Sequence, residues 1–181
     1  MLDRHRLLIE QIPHLRRYAR VLHGGRVADA DDLVQDTLER AFSKWLSWRG
    51  AGSVRPWLFS IMHNLFVDQC AVRGSMGAPQ ALDDLPEALH PTQAATQEFR
   101  LQALDMIAAL QQLSVPLREV LLLVAVEDLS YGDAARALGV PIGTIMSRLS
   151  RARSQLRVLT DGEASAARPP LRVIEGQRSL G

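Results

Sequence analysis

Residues 129–157 read LSYGDAARALGVPIGTIMSRLSRARSQLR. The stretch predicts two short helices joined by a tight turn. The first runs from Tyr131 to Leu138, with Ala134, Ala135 and Leu138 as its apolar or small positions. Gly139 is the residue type that ends a helix in the left-handed conformation. Val140 and Pro141 make the turn, and the proline biases Val140 toward extended geometry. The second helix is expected from about Ile142 to about Leu156. Ile145, Leu149, Ala152 and Leu156 recur on one face at helical spacing. Ser147, Arg148, Arg151 and Ser154 point elsewhere. An apolar inner seam under an outer face of Ser and Arg fits a helix-turn-helix, whose second helix enters a major groove. The alternative is a charged hairpin that binds nothing. Charge balance disfavours it, because Arg136, Arg148, Arg151, Arg153 and Arg157 stand against Asp133 alone.

That helix supplies the first candidate site. Arg148 and Arg151 share a face, and a guanidinium donates paired hydrogen bonds to a guanine edge or holds phosphate. Ser147 suits either partner. Arg153 and Arg157 lie further around the helix, better placed for backbone phosphates. Thr144, near the helix start, can join free backbone N–H groups in holding a phosphate.

The whole chain constrains this reading. It has 181 residues, enough for one domain or two small ones. Aromatic residues make up only 5%, so Leu, Val, Ile and Ala must build the core. The formal net charge is +1, so a basic surface has to be local and balanced by acid elsewhere. Cys70 is the single cysteine, which excludes an internal disulfide and a multi-cysteine zinc site. The N-terminal stretch MLDRHRLLIEQIPHLRRY lacks the apolar core of a signal peptide. No apolar run is long enough to cross a bilayer, the longest being Val120 to Val126. A cytoplasmic protein without lipid insertion is expected. His5, His14, His23, His63 and His90 are scattered without metal-ligand spacing, and no phosphate-cradling glycine motif occurs. No catalytic residue, metal or cofactor is implied.

Helical periodicity divides the chain into two blocks, so the expected fold is all-α: two small helical domains joined by a flexible linker, the second holding the helix-turn-helix. The first domain spans 5–73. It begins with an amphipathic helix interrupted or restarted at Pro13, and His23-Gly24-Gly25-Arg26 breaks the pattern. Asp29 or Asp31 is a candidate cap for the next helix, which carries Leu33, Val34, Thr37, Leu38, Ala41, Phe42 and Trp45. A third helix follows a glycine-containing loop and buries Trp57, Leu58, Ile61, Met62, Leu65 and Phe66. Residues 74–98 are rich in Gly, Pro and acid, with no Arg or Lys from 74 to 98, and read as a flexible acidic linker. The second domain spans 99–159, with Ser114 or Val115 before Pro116 marking a helix start. Residues 160–181 read as a mostly disordered tail, with Leu171 to Ile174 as a short docking segment within it.

The first block offers two more surfaces. Asp32, Gln35, Asp36 and Glu39 fall on one helical face. Such an acidic stripe repels DNA and suits a partner with basic side chains, unless it is simply a solvated face. Further on, WLFSIMHNLFVDQ (57–69) combines an apolar side with His63, Asn64 and Gln69, which can hydrogen-bond to the edge of an unstacked base. The aromatic residues of this segment fit a core equally well.

Four stretches together resemble one family: PHLRRYAR (13–20), DADDLVQDTLERAF (29–42), RPWLFSIMHNLFVD (55–68), and LREVLLLVAVEDLSYGDAARALGVPIGTIMSRLSRARSQL (117–156). In this order, with a linker between, the chain resembles bacterial sigma factors of the compact extracytoplasmic-function group over about residues 10–158. The resemblance implies binding to core RNA polymerase, direction of that enzyme to promoter DNA, and control by an anti-sigma factor. It places the helix of Asp32, Gln35, Asp36 and Glu39 on the clamp helices of the largest polymerase subunit. It assigns His63, Asn64, Gln69 and Arg73 to the opened proximal promoter element. Thr144, Ser147, Arg148, Arg151 and Arg153 are assigned to the distal element as duplex. The chemistry then belongs to polymerase, and this chain is no enzyme. The chain departs from relatives in carrying Gln69-Cys70-Ala71-Val72 where basic residues are common. Met146 replaces a polar reader, and Asp128 stands where glycine is frequent. The competing reading is a stand-alone helix-turn-helix regulator, which leaves the acidic stripe and WLFSIMHN unexplained.

Overall fold

The computed structural model describes residues 2–48, 52–74 and 97–166, and these are helices and connecting turns. Of the linker expected at 74–98, residues 75–96 lie outside the described residues, as does the segment Leu171 to Ile174, while Gly74 ends one helix and Gln97 and Glu98 begin the next. Helices α1 (Leu2–Ile9), α2 (Ile12–Leu22), α3 (Val27–Ser43) and α4 (Arg55–Gly74) form the first block, with a 3₁₀ turn at Trp45–Ser47. The second block holds α5 (Gln97–Gln112), α6 (Val115–Leu121), α7 (Tyr131–Leu138) and α8 (Ile142–Ala166).

Local chemistry accounts for most of the boundaries. Pro13 occupies the first turn of α2, where its missing N–H costs nothing. Gly24 and Gly25 both have positive φ, at 66° and 86°, and they turn the chain out of α2. Neither Asp29 nor Asp31 caps α3, contrary to the sequence expectation. The helix starts earlier, with Arg26 at the cap position in extended geometry and Asp29 inside the first turn. Arg26 Nε pairs with Asp29 at 3.0 Å, and the carboxylate sits at the positive end of the helix dipole. Asp31 instead faces Arg16 at 3.6 Å. Ser114 precedes α6, and Pro116 sits in that helix's first turn.

After Leu121 the helix widens to a π turn over Leu122–Val126. Glu127 N–H bonds back to Leu122 O at 2.9 Å, closing the wide ring. Asp128 then adopts φ 54°, the left-handed region. Glycine, the residue that the resemblance leads one to expect here, adopts that value without strain. Gly139 also sits left-handed, at φ 63°, and ends α7. Helix α8 continues to Ala166, past the boundary expected at 159.

The buried residues of the two blocks form one continuous cluster. Leu15, Leu33, Leu58 and Met62 belong to it from the first block, and Leu122, Leu138, Ile145 and Leu149 from the second. Helix α4 is packed between α3 and α7, and α7 is covered on its other side by α8. Tyr18 and Phe59 meet edge-on at 5.0 Å within this core. Packing of α4 against α7 decides which surfaces the chain presents.

Candidate nucleic-acid and partner interfaces

The helix-turn-helix is built as its residues require. Ser130 caps α7: its Oγ accepts from Asp133 N–H at 3.0 Å and donates to Asp133 Oδ2 at 2.6 Å. At the start of α8, Pro141 O accepts from Thr144 N–H at 2.9 Å and from Ile145 N–H at 3.3 Å. Ile145, Leu149 and Ala152 are buried, so the inner face matches the expected seam. The outer face carries Ser147, Arg151 and Arg153, all exposed, with Thr144 and Arg148 half-buried beside them. Ser147 Oγ donates to Thr144 O at 3.1 Å, so its lone pairs remain available as acceptors.

Beside this face lies a groove of about 380 Å³ between the start of α7 and α8. Tyr131, Met146, Ser150, Arg153, Ser154 and Arg157 line it. Hydroxyls and guanidinium groups alternate there one helical turn apart, a chemistry suited to phosphate oxygens. Ser150 and Tyr131 were not singled out from sequence. The signal was present in the spacing of Ser150, Arg153, Ser154 and Arg157 on one side of the helix.

On α3 the acidic stripe faces outward. Asp32, Gln35, Asp36 and Glu39 are all exposed, while Ala30, Leu33, Val34, Thr37 and Ala41 are buried on the opposite side. Gln35 Nε2 donates to Glu39 Oε1 at 3.0 Å. Asp29 and Asp31 are drawn to Arg26 and Arg16, whereas no ion pair holds Asp32 or Asp36 among the described residues. Phe42 and Leu46 continue the same line as exposed apolar residues, Leu46 at 94% exposure. The surface is therefore acidic along most of its length and apolar at one end.

The α4 residues separate. Asn64 is exposed, and Gln69 is half-buried with its Oε1 buried and without a hydrogen-bond partner. Arg73 lies in the last turn of α4, and its side chain is outside the described residues. His63 turns toward the second block, with Nδ1 2.7 Å from Glu119 Oε1. Tyr18 Oη donates to the same oxygen at 3.2 Å. Glu119 is acceptor-only as a carboxylate, so His63 supplies the proton in that contact.

A second carboxylate closes the seam between the blocks. Glu127 is completely buried at its side chain, and Arg17 grips it with both forks: Nε to Oε1 at 2.8 Å and Nη2 to Oε2 at 2.9 Å. His14 Nδ1 lies 2.8 Å from Oε2. Arg55 Nη2 lies 3.0 Å from His14 Nε2, and a guanidinium has only donors. Nδ1 also lies 3.1 Å from Arg17 Nη2, so the imidazole stands between two guanidinium groups and the Glu127 carboxylate. Arg55 also donates from Nε to Gln11 Oε1 at 2.9 Å and from Nη1 to Glu127 O at 3.3 Å.

Arg118 joins the blocks through backbone. Its guanidinium donates to Leu110 O at 2.8 Å, Gln111 O at 2.7 Å and Leu113 O at 3.0 Å, carbonyls at and just past the end of α5. It reaches Leu22 O, at the end of α2, at 3.3 Å. Burial lowers its pKa from the ordinary arginine value, and the charge of Glu119 opposes that shift. Burial raises the Tyr18 pKa well above its ordinary value, and Glu119 adds to the effect by charge and hydrogen bond. None of Arg17, Arg118, Glu119 or Glu127 was singled out from sequence: the partners of Arg17, Glu119 and Glu127 lie far away along the chain, and Arg118 binds backbone carbonyls, which no side-chain pattern marks.

Two family models match separate stretches of the chain. Residues 8–63 match the family model described as the Sigma2 domain of PhyR, and residues 103–156 match Sigma-70, region 4. The chain is 39% identical to the ECF RNA polymerase sigma factor EcfG of Rhodopseudomonas palustris (strain TIE-1), over 84% of this chain and 82% of that one. It is 34% identical to the ECF RNA polymerase sigma factor SigC of Mycobacterium tuberculosis (strain CDC 1551 / Oshkosh), over 76% of this chain and 72% of that one. Among solved structures it resembles the sigma factor RpoE in complex with the anti-sigma factor NepR from Bartonella quintana. That match has a TM-score of 0.76 and 34% identity, covering 89% of this chain and 98% of that one. It also resembles CnrH in complex with the cytosolic domain of CnrY, with TM-score 0.65 and 26% identity, covering 88% of each chain.

Proposed function

This chain belongs to the extracytoplasmic-function family of RNA polymerase sigma factors, and from that membership we propose how its surfaces divide the work of initiation. As a sigma factor it binds core RNA polymerase and directs transcription initiation at promoters. The outward stripe of Asp32, Gln35, Asp36 and Glu39 is the docking face for core polymerase. It supplies carboxylates at Asp32 and Asp36 that no ion pair holds among the described residues, as a basic partner helix requires. Asn64, His63, Gln69 and Arg73 on α4 serve the opened proximal element. Thr144, Ser147, Arg148, Arg151 and Arg153 on α8 serve the distal element as duplex. The working division remains 5–73 for docking and the proximal element, 74–98 for the linker, 99–159 for the distal element and 160–181 for the tail.

The observation that carries this reading is the segregation of charge. The exposed acid of α3 lies on the first block, and the exposed Arg of α8 lies on the second. A DNA-only regulator has no use for the first surface. The resemblance to a sigma factor solved with the anti-sigma factor NepR supports control of this chain by an anti-sigma protein. The chain has no catalytic role in this scheme, since polymerase makes the RNA. Its site of action is the cytoplasm, where polymerase and promoter DNA meet. No described helix is long and apolar enough to cross a membrane.

The test is reconstitution. Purified chain is mixed with core polymerase, and transcript starts are mapped on genomic DNA with and without it. Stable binding to core and a new, discrete set of starts are expected. Binding to duplex DNA with no association to core would overturn the assignment in favour of a stand-alone regulator.

A further inference from the structure

Helix α8 carries two apolar residues on the side where its polar residues lie. Ile142 and Met146 stand one helical turn apart and are 52% and 54% exposed, while Ile145, Leu149 and Ala152 of the same helix are buried. The exposed pair belongs to the N-terminal part of the helix, which contacts base edges when such a helix enters a major groove. Ser147 follows Met146 directly and is exposed. Met146 also shares the groove of about 380 Å³ with Ser150 and Arg153. One exposed apolar side chain is ordinary on a protein surface. A pair set among serine and arginine, in the reading part of a basic helix, needs a partner with apolar surface of its own.

Gly143 lies between the two and is exposed. A Cβ added there would meet nothing within 4 Å, so no internal contact calls for glycine. Glycine weakens a helix, and one use that offsets this is close approach of backbone to a ligand. Around the pair, Arg148, Arg151, Arg153 and Arg157 take part in no ion pair among the described residues, so their charge is available to phosphates. The surface therefore fits a duplex at its charged positions and an apolar group at Ile142 and Met146. The major groove offers such a group in the C5 methyl of thymine. Pressed on any other base edge, an apolar side chain would leave donors and acceptors without partners. Against the methyl it removes apolar surface from water on both sides.

We propose that Met146, flanked by Ile142, is a specificity-determining residue for the distal promoter element: it packs on the C5 methyl of a thymine and selects an A·T pair at that position. The proposal rests on the reading of α8 as the helix that meets the distal element as duplex.

The test removes the methyl and nothing else. The probe is the duplex promoter recovered by mapping starts in the reconstitution, with the thymines of its distal element replaced by deoxyuridine, first on one strand and then on the other. Deoxyuridine pairs as thymine does and lacks the C5 methyl. Binding is titrated with the full chain on core polymerase. The wild type is expected to bind at least one of the two uracil duplexes about three- to fivefold more weakly than the thymine duplex. Met146→Ala should bind the thymine duplex more weakly by the same factor and lose nothing further on uracil. Met146→Leu should recover most of the discrimination. Ile142→Ala, expected to reduce the discrimination in part, keeps the test decisive if Met146→Ala fails to fold, which circular dichroism reveals. A wild type indifferent to uracil overturns the proposal. So does a Met146→Ala variant that discriminates as the wild type does, or a distal element without an A·T pair. Loss of core affinity in Met146→Ala, with methyl discrimination kept, gives the apolar pair to a protein partner and also overturns it. Failure of the wild type to bind core overturns the sigma-factor reading instead. The same uracil comparison, run on duplexes that the chain alone selects from genomic fragments, then decides the methyl contact by itself.

Discussion

Arg118 offers the sharpest test of how the seam is built. The perturbation is Arg118→Met, which keeps a long apolar stem and removes the guanidinium. Four carbonyls lose their donor: Leu110, Gln111 and Leu113 at the end of α5, and Leu22 at the end of α2. At about 1.5 kcal/mol for each bond to a charged donor, the gross loss is about 6 kcal/mol. Removing the cation also removes a desolvation cost, the one visible in the lowered pKa of Arg118. Allowing about 2–3 kcal/mol for that relief leaves a net loss of about 3–4 kcal/mol. In a chain of this size, each kcal/mol moves the melting temperature by about 2–4 °C. A fall of about 10 °C is expected by calorimetry, with a lower urea midpoint. Arg118→Lys should fall between the two, because a point charge cannot span four carbonyls. A loss below about 1 kcal/mol for the Met variant would refute the claim that Arg118 ties α2, α5 and α6 together.

Asp128→Gly should raise stability by about 0.5 kcal/mol and Asp128→Ala should lower it by about 1 kcal/mol, read by thermal melting, because φ is 54° there and only glycine adopts that value without strain. Tyr18 holds its proton more tightly when folded, so its contribution is fully present below about pH 10 and is lost as pH rises through the raised folded value. Alkaline unfolding followed by circular dichroism should therefore be less steep in Tyr18→Phe. A profile identical to wild type removes Tyr18 as the cause.

The helix-turn-helix was legible because its punctuation is local. Ser130, Gly139 and Pro141 mark its boundaries within a few residues of where they act, and the Ile145-Leu149-Ala152 seam has helical period. The stripe on α3 was legible for the same reason. The start of α3 was misread because two acidic residues looked like caps, whereas the paired left-handed glycines at 24 and 25 had already set the chain's exit and Arg26 opens the helix. The apolar seam of α8 ends near Leu156, so its period gives no sign of the turns that carry the helix on to Ala166. In the structure Thr160 bonds back to Leu156 O at 3.0 Å and the helix continues. The seam left no local trace. His14, Arg17, Glu119 and Glu127 each look like ordinary solvated charges, and the pairing of Arg17 with Glu127 joins residues 110 positions apart. Glu127 does follow directly on the apolar run Val120 to Val126, a place where a carboxylate is drawn toward the interior. The sequence reading assigns His63 to a base edge, and the structure places its Nδ1 2.7 Å from Glu119 Oε1.

The central claim is that docking and promoter reading sit on different faces. Two variants separate them: Asp32→Arg with Asp36→Arg on α3, and Ser147→Ala with Arg151→Ala on α8. The measurement is core-polymerase affinity alongside promoter-dependent initiation, with helicity checked for each. The α3 variant should lose core affinity. The α8 variant should keep it and lose distal-element recognition by about 1–3 kcal/mol for a base-reading arginine. If the α8 variant loses core binding while the α3 variant retains it, the assignment of the two faces is wrong.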